Sequence, residues 1–559
     1  MSDPAALRRL RRLDAGMGIA AAVALAAVIG EYGFLPSPAA VDRLRALALA
    51  GVATFAILQA SKLLVVGRPL AYLRTHRLDF ALLFVLVVQG LAFAALSEAP
   101  EALWLARHGR PSPLLPFYVA VLQGYVVAVI LARSPLMHLA LARIRLRPAQ
   151  LLVASFAIVV ALGTFLLALP GASRDGVSIG VLDALFTATS AVCVTGLVVR
   201  DTAAQFSTFG IAVIATLIQV GGLGILTFTA TFALAGGRTF APGERERLAR
   251  ALDPEADGNL RGVLRRVLAG TLVTEAVGAA VLYAVWRDVF PDPFVRFGQA
   301  VFHAISAFCN AGFALFPDNA SLTRFVADPF TCLAIGTLIV LGGLGFPVLA
   351  ELAARGRPVT RHARWVVVAT IALIGAGAFL LAIFEGYGPL AALFQSITLR
   401  TAGFNTVPLG ALGLPAVALC VAWMLVGGSP AGTAGGFKTT TGIAAFAALA
   451  GRPTLDRPTA RRAARLIAVF LAAFVSFVVV VALAQGEVHR RLIFEVASAL
   501  GTVGLTMDYT DDLGTGARLL ICLAMFVGRV GPFALAAAIL PWREEPVEAP
   551  PAEERVLLG

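Results

Sequence analysis

Four short stretches of the chain place a glycine at a fixed distance after a phenylalanine. Their central tetrads read Val-Thr-Gly-Leu at 194–197, Asn-Ala-Gly-Phe at 310–313, Thr-Ala-Gly-Phe at 401–404 and Thr-Val-Gly-Leu at 502–505. The glycine follows the phenylalanine by 10, 10, 9 and 10 residues, enough for a short helix and a loop. Such loops offer main-chain carbonyls rather than reactive side chains, because glycine lets the backbone adopt a positive φ.

Carbonyls arranged in this way suit a cation. If four equivalent loops meet on one axis, their carbonyls form rings that replace the hydration shell of an ion. The short helices before the loops would direct the negative ends of their dipoles toward that axis. The pattern therefore predicts four re-entrant loops around an ion pathway. The alternative is four tight turns in an ordinary helical bundle, with glycine at close helix contacts.

A second glycine motif follows each tetrad in the next apolar run. These motifs start 25, 30, 24 and 24 residues after the glycine of the tetrad, and they read Gly-Gly-Leu-Gly at 221–224, Gly-Gly-Leu-Gly at 342–345, Gly-Gly-Ser-Pro at 427–430 and Gly-Arg-Val-Gly at 528–531. Two motifs that recur four times in the same order indicate a fourfold internal repeat. Each repeat is predicted to hold a span, a short re-entrant helix, a glycine loop and a second span.

Residues 427–436 carry five glycines and one proline within ten residues, which a helix cannot accommodate. The segment interrupts a long apolar run, and its unpaired backbone would be costly in contact with lipid. We therefore predict that it lies inside the pore, below the four loops, and acts as a gate. The alternative is a cytoplasmic turn between two short helices.

Arg529 occupies a position that is glycine in the other three second motifs, at Gly222, Gly343 and Gly428. A charge at bilayer depth is costly unless it faces water or a partner. The repeat predicts that Arg529 faces the pore and opposes cations below the loops. The alternative is a structural ion pair with a carboxylate elsewhere in the bundle.

Three other ionisable residues lie in or beside apolar runs. Glu275 is in the middle of a predicted span, where a carboxylate either bonds a neighbouring helix or takes part in transport. Lys438, just after the gate segment, has no single interpretation. His303 is predicted to lie near the N-terminus of the second short helix and to be structural.

The whole composition indicates a polytopic membrane protein. Of the 559 residues 59% are apolar and only 14% are charged, and the mean hydropathy is +0.85. These values exclude a soluble enzyme and a disordered chain. Twelve apolar runs are long enough to span a bilayer, at 17–35, 47–66, 78–98, 115–134, 150–170, 209–235, 264–286, 328–353, 364–385, 411–449, 463–485 and 514–541. The run at 411–449 is too long to be one simple helix.

The net charge of +12 is explained by arginine-rich loops between the runs. Basic loops remain in the cytoplasm, so both termini are predicted to be cytoplasmic, with the acidic tail 544–559 disordered. Nucleic acid is not an expected partner.

No motif of a hydrolase, a P-loop or a dinucleotide site is present, so the chain is not expected to be an enzyme. The five cysteines lie in apolar runs without metal-ligand spacing and are interpreted as packing residues: Cys193, Cys309, Cys332, Cys420 and Cys522.

The motifs together resemble the membrane-spanning subunit of the Trk/Ktr potassium-uptake family, over residues of about 150–541. The resemblance rests on the tetrads, on Arg-Thr-Ala-Gly-Phe-Asn-Thr at 400–406, on the glycine-rich stretch 427–441 and on Gly-Arg-Val-Gly-Pro at 528–532. It implies an all-α protein with four pseudo-repeats around one pore, preceded by about four extra spans. It also implies a homodimer in the inner membrane and a cytoplasmic ring of nucleotide-binding regulatory subunits.

The resemblance implies K⁺ as the transported ion, with no tightly bound cofactor on this chain. The selectivity filter would be Val194, Thr195, Gly196, Asn310, Ala311, Gly312, Thr401, Ala402, Gly403, Thr502, Val503 and Gly504. The gating loop would be Gly427, Gly428, Ser429, Pro430, Ala431, Gly432, Thr433, Ala434, Gly435 and Gly436. The expected divisions are an extension at 1–145, pore repeats at 146–262, 263–360, 361–455 and 456–543, and a tail at 544–559.

Three alternatives remain at this stage. Relatives that favour sodium can carry serine in place of the first loop's glycine, so Gly196 favours potassium over a sodium-permeable or Na⁺-coupled protein. A secondary solute transporter with discontinuous helices usually shows two inverted halves rather than four repeats. A membrane anchor or assembly protein would leave the four matching glycine loops unexplained.

Overall fold

The structure is a computed structural model, and it describes residues 4–34, 37–66, 148–224, 260–354, 359–430, 432–449, 457–532 and 535–536. Within these ranges the regular structure is helical, apart from two isolated β-bridges. The α-helices in the first half are α1 (Pro4–Phe34), α2 (Pro38–Val65), α3 (Pro148–Leu167), α4 (Val181–Val192), α5 (Thr202–Gln205), α6 (Thr208–Gly222), α7 (Leu260–Val285), α8 (Pro293–Phe308) and α9 (Pro329–Leu344). Those in the second half are α10 (Phe346–Ala353), α11 (Arg361–Glu385), α12 (Pro389–Thr398), α13 (Leu414–Leu425), α14 (Thr439–Leu449), α15 (Arg457–Gln485), α16 (Arg490–Gly501) and α17 (Thr515–Val530).

The first two helices form a hairpin that precedes the rest. Gly51 on α2 allows close packing against Ala20 and Ala24 on α1, and Lys62 pairs with Asp14 across the hairpin. The hairpin reaches the following helices where Gly33 packs on Leu169. The predicted spans 78–98 and 115–134 lie outside the described residues.

The helices after residue 148 occur in four consecutive sets, and each set contains a short buried helix. The short helices are α4, α8, α12 and α16, and the residues in their C-terminal halves are almost entirely buried. The helices that precede them, α3, α7, α11 and α15, instead expose large apolar side chains such as Leu272, Ile371 and Leu483. An outer layer with apolar exposure around a buried inner layer is the arrangement expected of a protein in lipid.

Local sequence signals define where several of these helices begin. The Asp292 carboxylate accepts hydrogen bonds from the N–H groups of Phe294 and Val295, and Pro293 occupies the first turn of α8. His489 caps α16 by accepting a hydrogen bond from the Leu492 N–H. Because α8 begins at Pro293, His303 lies in its C-terminal half, and the expectation that it lies near the N-terminus of this helix was wrong.

Five described helices are long and apolar enough to cross a membrane, and the bent pair α9–α10 makes a sixth if it counts as one span. The predicted span at 328–353 is bent, because α9 and α10 meet at an angle of 105°. The break falls at Gly345, whose φ is +87°. A non-glycine residue rarely adopts that backbone conformation, so the last glycine of the second motif permits the bend.

The other second motifs also end helices. α6 stops at Gly222 and α17 at Val530, and the glycines that follow, Gly224 and Gly531, have φ of +81° and +91°. The predicted spans at 209–235 and 514–541 are therefore interrupted at these glycines, while residues 225–235 lie outside the described part of the chain. The run at 411–449 is divided into α13 and α14, as its length predicts.

Polar contacts between residues of the loops and of the first turns of helices join the four sets in a closed order. Each contact links one set to the next, and the fourth set returns to the first. The joined pairs are Asp201 with the N–H of Asp318, the Asn405 carbonyl with the N–H of Leu322, Arg490 with the Leu412 carbonyl, and Arg518 with Asp183.

Candidate functional site

The glycine loops begin where the short helices end, and three of the four helix ends share one hydrogen-bond pattern. In the first set the Val194 N–H donates to the Ala191 carbonyl at 3.1 Å, and the Thr195 N–H donates to the Ser190 carbonyl at 2.8 Å. This pair of bonds defines a Schellman helix end, which requires one residue with positive φ. The ends of α8 and α16 have the same two bonds at equivalent residues.

In all four loops, a residue other than glycine also has a positive φ two positions before the tetrad glycine. Val194, Asn310, Thr401 and Thr502 have φ of 53°, 57°, 77° and 50°. Such a conformation is unusual for valine and threonine because their branched side chains crowd the backbone. Strained backbone of this kind persists where the surrounding structure holds it, often at functional sites. The sequence analysis assigned positive φ only to the glycines and missed these residues.

The third loop differs from the others because it is one residue shorter. Its Ala402 N–H bonds to the carbonyl of Thr398, four residues earlier, at 3.0 Å. In the other loops the corresponding bond spans five residues. The offset of 9 rather than 10 between phenylalanine and glycine therefore reflects a different helix end.

The four tetrad glycines meet the neighbouring loops in a closed ring. A Cβ atom added to any of them would lie closer than 3.0 Å to a backbone carbonyl oxygen of the next loop, a separation that real Cβ atoms essentially never show. The pairs are Gly196 with Ala311, Gly312 with Ala402, Gly403 with Val503 and Gly504 with Thr195. The fold thus brings the four tetrad glycines and the residues that precede them together in one ring.

Three of the four second motifs place their first glycine against the end of a short helix. A Cβ on Gly221, Gly342 or Gly528 would collide with the carbonyl oxygen of Val192, Phe308 or Leu500, respectively, whereas a Cβ on Gly427 would collide with the carbonyl oxygen of Gly435. In these three sets the absence of a side chain lets α6, α9 or α17 reach the base of the glycine loop. This contact gives a physical reason for the second repeat that spacing alone did not supply.

In the loop 427–436, the described residues 427–430 and 432–436 are mostly buried and contact the second and fourth sets. Its two ends are held together where the Gly427 N–H donates to the Phe437 carbonyl at 2.8 Å. Thr433 donates through its N–H to the Gly342 carbonyl at 3.1 Å and through Oγ1 to the Phe308 carbonyl at 3.2 Å. Gly435 packs on the hydroxyl of Thr502 in the fourth glycine loop.

Three cationic side chains, two of them buried and that of Lys438 half-buried, donate hydrogen bonds to carbonyls in this loop. Arg529 donates to the carbonyls of Thr433 and Gly221, and Lys438 donates to the Ala434 carbonyl at 2.7 Å. Arg400 donates to the Gly427 carbonyl at 3.4 Å. Among the described residues no carboxylate forms an ion pair with Arg529, so this part of the chain provides no support for the alternative of a structural ion pair. Arg400 was not identified as a candidate by the sequence analysis.

Glu275 lies between the first and second sets. Its carboxylate accepts a hydrogen bond from Gln219 at 3.0 Å and lies 3.7 Å from the thiol of Cys309, the residue that precedes the second tetrad. The observed contacts are therefore the interhelical bonds that the sequence analysis weighed against a role in transport. All five cysteines are buried and free.

The imidazole ring of His303 forms hydrogen bonds with residues of its own set. Its Nδ1 lies 2.8 Å from the Gln299 carbonyl, and its Nε2 lies 3.3 Å from the backbone nitrogen of Leu315. A carbonyl can only accept and a backbone N–H can only donate, so the neutral ring must carry its proton on Nδ1. These contacts support a structural role for the histidine.

Comparisons with known proteins place these features in context. The sequence model of the TrkH family, described as cation transport protein, matches residues 119–361 and 365–543. This match begins upstream of the region 150–541 in which the motifs lie.

Two curated relatives are similar over most of their length. The chain is 34% identical over 439 residues to "Ktr system potassium uptake protein B" of Vibrio alginolyticus, covering 73% of this chain and 94% of that protein. It is 34% identical over 434 residues to "Potassium/sodium uptake protein NtpJ" of Enterococcus hirae, covering 71% of this chain and 94% of that protein. The fold is similar to the crystal structure of the potassium transporter TrkH from Vibrio parahaemolyticus, with a TM-score of 0.58, 18% identity, and coverage of 82% of this chain and 98% of that one.

Proposed function

This chain belongs to the TrkH family of cation transport proteins, and we propose that it carries K⁺ into the cell through a pore formed by its four glycine loops. The observation that carries the proposal is the closed ring, in which each tetrad glycine meets a carbonyl of the next loop. Four equivalent contacts that return to their starting point define an axis. Carbonyls around an axis replace the hydration shell of a cation.

The short helices support the same conclusion. Their C-terminal ends lead directly into the ring, and the negative ends of helix dipoles favour a cation there. Side chains of the tetrads are buried behind the loops, so the ion would contact main-chain oxygens. In this proposal the twelve residues of the tetrads other than their final Leu or Phe form the selectivity filter, and K⁺ is the substrate rather than a resident cofactor.

The loop 427–436 is proposed as the gate. It packs against the second and fourth glycine-loop regions through Thr433 and Gly435, and Arg529 links it to Gly221 in the first set. A segment held mainly by backbone hydrogen bonds can be displaced without dismantling the apolar core. Arg529 would add a positive charge beneath the filter, which opposes K⁺ while the loop is in place.

The assembly around the pore is also part of the proposal. We propose four pore repeats at 146–262, 263–360, 361–455 and 456–543, an extension at 1–145 and a tail at 544–559. The protomer would form a homodimer in the inner membrane, with both termini in the cytoplasm. A ring of nucleotide-binding regulatory subunits would then act on the gate from that side.

Sodium is the second candidate substrate, because one relative is named a potassium/sodium uptake protein. The four tetrads of this chain all retain glycine. A serine in place of Gly196 in the first tetrad would place a Cβ against the Ala311 carbonyl. Glycine at this position therefore permits the close contact between neighbouring loops, which favours K⁺ as the substrate.

Uptake of Rb⁺ in cells that lack their own potassium systems tests the proposal. Cells that express this chain should accumulate Rb⁺, and excess K⁺ should compete more effectively than excess Na⁺. Equal competition by the two ions would support the sodium-permeable alternative. Expression in the membrane without uptake above that of cells carrying an empty vector would contradict the proposed function.

A further inference from the structure

The residue after the repeated phenylalanine of each short helix is polar in all four sets. These residues are Thr187, His303, Gln395 and Glu495. All four are buried, although they lie on helices that are otherwise largely apolar. Buried polar side chains are usually hydrogen-bonded, and at this position side-chain bonds are observed for His303 and Glu495.

Glu495 has the most complete set of partners. Its Oε1 accepts hydrogen bonds from the Thr506 hydroxyl and from the Met507 N–H at 3.2 Å, and its Oε2 accepts one from the Thr510 hydroxyl at 3.0 Å. All three donors belong to residues 506–510, which directly follow the fourth tetrad. We call this segment the outer limb of the fourth loop.

The same helix holds the fourth loop at a second point. The Ser498 hydroxyl accepts a hydrogen bond from the Gly504 N–H at 3.0 Å. α16 therefore fixes the filter glycine through Ser498 and the outer limb through Glu495. The loop has little freedom to move away from the axis while both bonds are made.

The second set repeats one of these bonds. His303 accepts a hydrogen bond from the Leu315 N–H, and Glu495 accepts one from the Met507 N–H. Each donor lies three residues after the tetrad glycine, Gly312 or Gly504. The second and fourth sets are on opposite sides of the ring, so the two outer limbs are held in the same register across the axis.

The third set lacks this bond. Both amide atoms of Gln395 and the hydroxyl of Thr406 have no hydrogen-bond partner among the described residues. The third loop is also the shorter one. The bond at the polar position is therefore not an automatic result of the fold but depends on the residue there.

We propose that Glu495 is a positioning residue that fixes the outer limb of the fourth loop and thereby sets the selectivity of the filter for K⁺. This inference rests on the proposed function. Glu495 does not need to touch the ion, because it acts through the backbone of Met507 and the hydroxyls of Thr506 and Thr510.

The test compares Glu495→Leu with Glu495→Gln and Val496→Ala in purified protein reconstituted into lipid vesicles. Leucine removes all acceptors at similar volume, whereas the glutamine carbonyl still accepts from Met507. Val496 is a fully buried neighbour in the apolar core that makes no side-chain bond to the limb. Val496→Ala therefore reports the effect of lost packing on the same helix.

We expect Glu495→Leu to lower the ratio of K⁺ flux to Na⁺ flux severalfold, measured per amount of folded protein. Glu495→Gln should recover most of the parent ratio, and Val496→Ala should retain it even if less protein folds. A parent-like ratio in Glu495→Leu, or an equal loss in Val496→Ala, would overturn the positioning role while leaving K⁺ transport intact. Should Glu495→Leu fail to fold, a parent-like ratio in Glu495→Ala would overturn it. A parent protein without K⁺ flux would overturn both this inference and the proposed function.

Discussion

Arg529 connects parts of the protein that are far apart in sequence. Its guanidinium donates to the carbonyl of Thr433 in the gate loop and to that of Gly221 at the end of α6. Glycine at the same motif position in the other sets makes no such bond. Because arginine remains charged even when buried, it anchors the loop and, in the proposed function, places a positive charge beside the proposed filter.

Replacing Arg529 with alanine should raise K⁺ flux and leave the K⁺-to-Na⁺ ratio unchanged, because the filter carbonyls are untouched. Hydrogen bonds from a charged donor contribute about 1.5–3 kcal/mol, and 1.4 kcal/mol corresponds to about a tenfold change in an equilibrium. Loss of even one such bond corresponds to about a tenfold change, so loss of both should raise the open fraction by at least about tenfold. The measurement is flux per folded protein in vesicles, with expression level recorded in parallel.

Arg529→Lys is the matched control. An ammonium group retains the charge but cannot donate in the planar fork of a guanidinium, so flux should lie between that of the parent and that of the alanine variant. Normal expression of Arg529→Ala with unchanged or reduced flux would exclude the barrier role. A severe loss of folded protein would instead indicate that the arginine is needed mainly for stability.

The positive φ of the tetrad glycines could be predicted from sequence. The positive φ of the residues two positions earlier could not. Glycine spacing recurs visibly, and glycine is the usual residue at positive φ. Val194 and Thr502 are β-branched residues, whose intrinsic preference is for extended backbone. Only their shared position in four loops could have indicated that they adopt the same conformation.

Polar contacts hold the described residues of the loop 427–436, which we propose as the gate. Thr433 supplies two of these contacts, to Gly342 and Phe308, and accepts a third from Arg529. These partners belong to the second and fourth sets, so displacement of the loop would break hydrogen bonds with both sets. Such a segment is suited to opening on a timescale shorter than unfolding.

Deleting residues 431–435 should raise K⁺ flux and weaken its dependence on any cytoplasmic regulator, because the segment beneath the filter is shortened. Thr433→Val offers a milder change that removes only the hydroxyl bond to Phe308 and should raise flux less. Thr216→Val is the control, since the Thr216 hydroxyl bonds only to the Ala212 carbonyl on the exposed face of α6. Flux assays with and without the regulator compare the variants.

Unchanged flux in a well-folded deletion would favour a simple turn at 427–436. Increased flux in Thr216→Val as large as that in Thr433→Val would show that the effect is not specific to the loop.

The element boundaries show what hydropathy can and cannot predict. The long outer helices α7, α11 and α15 match the predicted runs 264–286, 364–385 and 463–485, because their apolar faces are continuous. The bend between α9 and α10 was not predicted, because the residues on both sides of Gly345 are predominantly apolar. Hydropathy describes the free energy of transferring side chains from water to lipid. A bend is determined instead by the backbone conformation and by close contact with a short helix.

For the whole molecule, a second closed series of polar contacts, which we call the belt, joins the four sets. Asp183 lies at one junction, where its carboxylate pairs with Arg200 at 2.7 Å and with Arg518 of the fourth set at 3.1 Å. The belt joins each set to the next and the fourth to the first. The closed order of four sets was predictable from the repeated motifs, but the belt was not, because its residues share no sequence pattern.

The central claim is that the glycine ring selects K⁺, and the most direct measurement compares Gly196→Ser with Gly486→Ser. Both glycines have positive φ, +93° and +80°, but a Cβ on Gly196 meets the Ala311 carbonyl whereas a Cβ on Gly486 meets no atom within 4 Å. The two substitutions therefore impose similar backbone strain, and only the first disturbs the ring. In vesicles, Gly196→Ser should bring K⁺ and Na⁺ fluxes toward equality, while Gly486→Ser should retain the selectivity of the parent. Folded Gly196→Ser protein with the K⁺-to-Na⁺ ratio of the parent would contradict the assignment of this ring as the filter.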